Sequence, residues 1–261
     1  MIIKVWSPEH LQNHAWSLRQ TIMQMGHGII MADKVDKGDD YLYILYCPQV
    51  LNGRFPDKYI VYHTEHAERF LTGNDNKKIF ENAEAIWCHT PETIAEFNKY
   101  YPDIKCELVP PGWIFVPKHD KDRIYDVTFY GNLNERRVRI LELFENNGIK
   151  VNVITQLFGK ELLEQLLQSK IVLNLHYAIP APIELFRIHE GLSMGCHVIS
   201  EVSSTEGFKI DYGTIVQFMD DPYKMILWTK YLLDNKIKPN FDIAKLDNRS
   251  YIEEAIKKLK L

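Results

Sequence analysis

No C-x-x-C pair occurs among the four cysteines, Cys47, Cys88, Cys106 and Cys196. Scattered in this way, they read as reduced, buried thiols in a cytosolic setting rather than a disulfide framework. No apolar run approaches the ~20 residues that a membrane span needs. The opening "MIIKVWS" is too short, and too soon followed by polar residues, for a signal peptide. A cytoplasmic chain without a transmembrane segment is expected, with peripheral contact at a membrane surface left open. Excess positive charge is missing too. Residues 1–117 carry 11 Lys+Arg against 15 Asp+Glu, a net of −4, and residues 118–261 carry 20 of each. That excludes a chain built to coat nucleic acid and leaves at most a local basic groove. There is no low-complexity tract and no sequence repeat.

What is present is a rhythm. Short β-branched and aromatic runs alternate with helical patterns over 261 residues, a length comfortable for two domains. Aromatics at 12% can fill two cores. The first series is "MIIKVWS", a helix from Pro8 to Met25 closed at Gly26, then "GIIMAD", "YLYILYC", "YIVYHTEH", "KKIFENAEAIWCHT", "PETIAEFNKYY" and "CELVPPGW". Thr90 followed by Pro91 is an N-cap and first-turn pair. The pattern lapses over 114–124, which reads as a linker. A second series follows: strand "YDVTFYGN", a helix with Val138, Leu141 and Phe144 inward and Gly148 as its stop, strand "KVNVIT", helix "KELLEQLLQS", strand "KIVLNLHY", a helix from Pro182 to Met194, strand "CHVISEV", helix "DPYKMILWTKYLLDN" and a terminal helix. In the last, Glu253–Lys257 and Glu254–Lys258 stand at supportive i,i+4 spacing. Such alternation predicts βαβ units and parallel sheets, in two Rossmann-like domains of residues 1–117 and 118–261. Facing sheets of this kind hold ligands beyond the carboxyl ends of their strands.

Three stretches carry chemistry. In "YGNLNERRVR" a strand ends at Gly131 and a helix begins near Asn134. Its amides and dipole favour an anion, Gly131 permits close backbone approach, and Arg136 and Arg137 offer bidentate phosphate contacts. The bland alternative is a solvated basic helix start. In "ELFRIHEGLSMGCHVIS" helical spacing puts Ile183, Arg187, Glu190 and Met194 on one stripe of an otherwise apolar helix. Such charges are costly unless they meet a ligand or each other, and the alternative is a surface i,i+3 ion pair of little consequence. In "YHTEHAERF", His63, Glu65, His66 and Glu68 follow a strand and could supply a general base to a hydroxyl. The H-x-x-H spacing is too thin for a metal, so no metal site is assigned, and a capped polar loop is the alternative. His10 and His14 follow the first strand and either line the same edge or lie on the surface. His176 ends the "LNLH" strand.

Taken in order, these segments resemble the GT-B glycosyltransferases. "ELFRIHEGLSMGCHVIS" is similar to their donor segment "RxxEALAxGxPVI". "YDVTFYGNLNERRVRILELF" with "IVLNLHY" resembles the C-terminal domain of the spore-maturation-type members, "MGHGIIMAD" their "GHEVTV" turn, and "LVPPGW" their "IPNGV" exit. The likeness covers most of the C-terminal half and the N-terminal half by pattern. It implies a GT-B fold with an N-terminal acceptor domain and a C-terminal donor domain. It also implies hexosyltransferase-like transfer from a UDP- or GDP-linked sugar to a hydroxyl of a glycan, lipid or protein-linked acceptor, without metal or other cofactor. Glu190 matches the second glutamate of an E-x7-E pattern and would bind the donor ribose. The first falls at Pro182, a departure that puts a retaining mechanism in doubt. Arg187 with Arg136 or Arg137 would neutralise the diphosphate, Gly131 and Asn132 would approach it, the base would lie near Ile154 and Thr155, and His176 would face the donor. On the other side His63, Glu65 and His66 would be catalytic, with His10 and His14 toward the acceptor. Three rivals share these features: a sugar-nucleotide epimerase, a DNA-base glucosyltransferase and a non-catalytic nucleotide-binding module.

Overall fold

Every strand pair among the described residues is parallel, as the alternation of strands and helices requires. The structure is a computed structural model and describes residues 2–64, 74–116, 122–179, 181–203 and 212–259. It divides into two compact units, Met1–Gly112 with Leu246–Leu261, and Trp113–Lys245.

In the first unit, strands β1 (Ile2–Trp6), β2 (Gly28–Met31), β3 (Leu42–Tyr46), β4 (Tyr59–His63), β5 (Ala85–Cys88) and β6 (Cys106–Leu108) form one sheet in the order β2-β1-β3-β4-β5-β6. The central β3 and β4 are buried at every residue, which is why they read as unbroken apolar runs. Helices α1 (Gln12–Gln24), α2 (Asn74–Glu81) and α3 (Pro91–Tyr100) lie between strands. Thr90 caps α3 as expected, its hydroxyl accepting the Thr93 N–H at 3.1 Å. The first helix starts later than Pro8, because a short 3-10 turn over Glu9–Leu11 precedes it.

In the second unit, β7 (Tyr125–Tyr130), β8 (Val151–Ile154), β9 (Ser169–Asn174), β10 (His197–Glu201) and β11 (Val216–Met219) run in the order β11-β10-β9-β7-β8. The helices are α4 (Glu135–Asn146), α5 (Gly159–Leu167), α6 (Leu185–Ser193) and α7 (Pro222–Asp234). Val127, Phe129, Phe144, Ile171, Leu173 and Met225 lie in its core. Strand β11 was not anticipated; "VQFM" is a short edge strand with one clearly buried residue, too little for an alternation signal. In β7 and β9 lies the reversal of the strand order, with β8 on one side and β10 on the other, so a crevice is expected at their carboxyl ends. Helix α6 is pressed close to that sheet at Gly191, where a Cβ would come within 3.0 Å of Val198 Cγ2 and 3.4 Å of Val172 Cβ.

The last helix, α8 (Arg249–Lys257), corrects the expected division at residue 117. It belongs to the first unit, packing on α1 and β6 with Ile252 and Ala255 buried. Asn248 Nδ2 donates to the Pro110 carbonyl at 2.8 Å. The two ion pairs expected along it, Lys257–Glu253 at 2.8 Å and Lys258–Glu254 at 3.0 Å, are both present. All four thiols are free, and Cys47, Cys88 and Cys196 are buried. No helix among the described residues is long and apolar enough to cross a membrane.

Candidate functional site

At the carboxyl ends of β7 and β9 two arginines converge on one glycine, with a third close by. Gly131 has φ +132°, a conformation that side chains rarely adopt, and a Cβ placed there would lie 3.4 Å from Arg187 Nη2 and 3.5 Å from Arg137 Nη1. Backbone and guanidinium groups therefore leave a cradle at this point that any larger residue would fill.

Helix α4 buries Leu141 and Phe144 as expected, and at its start Arg137 rather than Val138 is the buried residue. The helix buries Arg137, Ile140, Leu141 and Phe144 and leaves Val138 half-exposed. Arg137 is 3% exposed. Its Nε and Nη2 donate to the Leu175 carbonyl at 3.0 and 2.5 Å, and Nη1 to the Asn132 carbonyl at 2.6 Å. Among the described residues all of these bonds go to carbonyl oxygens, none to a carboxylate. Burial and then the neighbouring Arg187 push its pKa down to about 9, still protonated at neutral pH. Asn134 caps the helix, accepting the Arg137 N–H at 2.9 Å and donating to the Tyr177 carbonyl at 2.6 Å.

Arg136 is committed elsewhere. It forms a bidentate pair with Glu201 at the end of β10, with Nη1 3.0 Å from Oε2, and Nη1 also donates to the His176 carbonyl at 2.9 Å. Glu201 also accepts the His176 N–H at 2.6 Å. Arg136 and Glu201 thus fix the backbone of His176.

Arg187 and Glu190 do not pair with each other. Arg187 Nη1 donates to Asn174 Oδ1 at 2.6 Å and forms an ion pair with Glu184. Its buried Nε has no partner among the described residues. Burial lowers its pKa, while Tyr130 and Glu190 act against that. Glu190 is 5% exposed, and its Oε2 accepts from Tyr130 Oη at 2.8 Å. The Tyr130 ring stacks under the Arg187 guanidinium at 5.4 Å. Helix α6 begins at Leu185, three residues after Pro182, so the first-position proline expected there is instead part of the approach to the helix.

Beside Arg187, His176 also has unmet hydrogen-bonding capacity. It is 1% exposed, and neither ring nitrogen has a partner among the described residues. Burial, countered by Glu201 and reinforced by Arg187, Arg136 and Arg137, pushes its pKa down to about 4. Buried polar groups of a folded chain are nearly always satisfied. A neutral imidazole and an arginine Nε that no described residue satisfies, both beside the arginine cluster, therefore mark a place suited to a polar ligand. Thr155 is exposed one residue beyond β8, and Asn132 is exposed one residue beyond Gly131.

In the first unit His10, His14 and His63 stand in different surroundings. His63 closes β4 but is a core residue, 2% exposed, its ring edge-on to Phe80 at 5.9 Å and Phe97 at 5.7 Å. His10 is exposed on the turn before α1, whereas His14 is buried in α1 and desolvation pushes its pKa down to about 3. Glu65, His66 and Glu68 lie outside the described residues. Among the described residues no three of His, Cys, Asp and Glu come together to hold a metal ion. Sequence reasoning missed Tyr130, Asn174, Glu184 and Glu201. Only Glu201 left a signal, as a carboxylate closing an apolar strand.

No protein-family model matches the sequence, and no curated protein is similar to it. Solved structures are. Anabaena HepE in complex with UDP and glucose superposes with a TM-score of 0.56 at 10% identity, over 99% of this chain and 100% of that one. T4 phage BGT in complex with UDP and Mn2+ gives 0.54 at 10% identity, over 99% and 95%. TarM gives 0.51 at 11% identity over 85% of this chain, which spans about half, 52%, of TarM. These are GT-B glycosyltransferases, and the chain has their fold.

Proposed function

We propose that the protein is a glycosyltransferase that binds a nucleotide-diphospho-sugar at the carboxyl edge of its second unit and passes the sugar to an acceptor hydroxyl. The observation that carries this reading is Arg187, with Nη2 beside the Gly131 cradle and Nε without a partner among the described residues, together with the ring of His176, likewise unpartnered there. A planar guanidinium edge is matched to two phosphate oxygens. HepE and T4 BGT, which share the fold, were solved with UDP. A UDP-linked donor is therefore the first to test, with GDP second.

In the reaction the bond between the sugar's anomeric carbon and the diphosphate oxygen breaks, and that oxygen keeps the electron pair. The acceptor oxygen bonds to the carbon and its proton leaves to a base or to water. Arg187 takes the charge that grows on the departing diphosphate, and Arg137 and the start of α4 add a fixed positive field. His176, neutral at pH 7, donates a hydrogen bond without adding charge. Glu190, held by Tyr130, is assigned to the ribose, and Thr155 with Asn132 to the outer part of the nucleotide. Arg136 with Glu201 is assigned to positioning His176. His10, exposed where His14 and His63 are buried, is assigned to the acceptor side. Transfer is expected to proceed without added divalent metal, and reactions with and without Mn2+ test this.

Thermal shift with UDP, GDP and their sugar conjugates tests the donor half. At ~100 times its dissociation constant a ligand adds about 2.7 kcal/mol of stability. A shift that disappears in Arg187→Met supports the site; no shift with any of them sinks it. The rival with an observation of its own is a non-catalytic module, because Pro182 replaces the first glutamate. Nucleotide binding without donor hydrolysis or transfer, across an acceptor panel, would favour it.

A further inference from the structure

We propose that Glu184, seated on Arg187 Nη1, competes with a diphosphate at the neighbouring Nη2 edge for the charge of the same guanidinium, and that it sets how readily the spent nucleoside diphosphate leaves. This rests on reading the site as a diphosphate site.

Glu184 occupies the N-cap position of α6, where a carboxylate ordinarily accepts a first-turn amide. It does not do so: with φ −86° and ψ 69° it makes no side-chain cap bond. Its carboxylate folds instead onto Arg187 Nη1, three residues on. That contact is not needed to place the arginine. Asn174 Oδ1 already accepts from the same Nη1 at 2.6 Å, and Asn174 is buried and held by its own bond to Ser200 Oγ at 3.0 Å.

Charge gives the contact its meaning. Arg136, Arg137 and Arg187 face Glu184, Glu190 and Glu201, so the cluster is balanced within itself. Two of the carboxylates are fixed, Glu190 by Tyr130 Oη and Glu201 by Arg136 and the His176 N–H. Glu184 is the exchangeable one, with a side chain 20% exposed and a path to water. An incoming diphosphate restores balance by displacing it. After transfer, the terminal phosphate of the product has lost its sugar and gained an ionisable oxygen whose proton leaves near pH ~6. The returning carboxylate therefore opposes the free nucleoside diphosphate more than the sugar conjugate.

The test is calorimetric titration of the full chain with inorganic pyrophosphate, UDP and UDP-glucose. The proteins are wild type, Glu184→Gln, Glu184→Ala and Arg187→Met. Both Glu184 changes are expected to tighten pyrophosphate and UDP roughly tenfold, equivalent to about 1.4 kcal/mol, with a smaller gain for UDP-glucose. Equal gains for UDP and UDP-glucose would keep the competition and overturn the role in product release. Unchanged or weaker binding in both, with binding lost in Arg187→Met, would leave the diphosphate site standing and overturn the role of Glu184. No binding of pyrophosphate by any of the four proteins overturns both readings.

Discussion

Replacing Gly131 with alanine separates the two things this glycine does. The backbone there has φ +132°, and an added methyl would lie 3.4 Å from Arg187 Nη2 and 3.5 Å from Arg137 Nη1. Those separations are ordinary contacts, so the methyl clashes with nothing. The fold loses only the cost of a strained φ, about 1–3 kcal/mol, or roughly 2–4 °C per kcal/mol in a chain of this size. The site loses more, because the methyl occupies the space between two guanidiniums where a phosphate is expected and keeps its oxygens from the Nη2 edge. Gly148 supplies the control. It has φ +80° with nothing within 4 Å of an added methyl, so Gly148→Ala carries backbone strain without touching an arginine. Both variants should melt below wild type, while pyrophosphate titration should show binding lost in Gly131→Ala and kept in Gly148→Ala. Wild-type affinity in a folded Gly131→Ala would refute the reasoning, since an anion seated in the cradle cannot ignore a methyl group placed there.

Arg136 and Glu201 should behave as a coupled pair: in urea denaturation the costs of Arg136→Leu and Glu201→Leu should sum to more than the cost of the double change, with a coupling of about 1–3 kcal/mol. Strict additivity would mean that the pair does not form. His176 should give the free protein a pH dependence. Its folded pKa is pushed down to about 4 from an ordinary 6.5, so between those values the unfolded chain takes up protons that the folded chain refuses. Stability present above pH 6.5 should then fall as pH drops toward about 4, at about 1.4 kcal/mol per unit, and His176→Gln should flatten the curve beyond what His14 contributes; a wild-type curve flat across that window counts against it. Deleting residues 246–261 should loosen the first unit, since burying Leu246 and Ile252 is worth about 1.5–3 kcal/mol each. Amide exchange should speed up in α1 and β6 and stay unchanged in α4 and β9.

Most of the fold was legible because central parallel strands bury both faces and leave unbroken apolar runs. β3, β4 and β9 announce themselves in this way, and Thr90–Pro91 fixes the start of α3. Strand β11 was not legible, because four residues on a sheet edge carry too little pattern. The place of α8 was not legible either. Its amphipathic face shows that it packs on something, while the partner is chosen by contacts such as Asn248 to Pro110, between residues 138 apart in sequence. In the site, the arginines were visible as residues but not as roles. Spacing cannot distinguish Arg136, spent on Glu201, from Arg187, because Glu201 closes a strand 65 residues along the chain.

The local misreadings fall where the candidate chemistry lies. Helical periodicity puts Val138 inward on α4, and the structure buries Arg137 instead. A proline placed for the first turn of α6 lies before it, and Glu184 takes the cap position without capping. Each departure costs stability that an ordinary residue would have kept, since a buried guanidinium bonded to carbonyls carries a charge that no carboxylate directly offsets. Such costs persist in a fold when another requirement holds the residues in place. Two of the departures meet at one point: Arg137 stands beside Gly131 at the end of β7, and Glu184 rests on Arg187, which stands there too. A requirement for an anion at that point accounts for both, whereas a purely structural role would have been met at less cost by leucine at 137 and a capping carboxylate at 184.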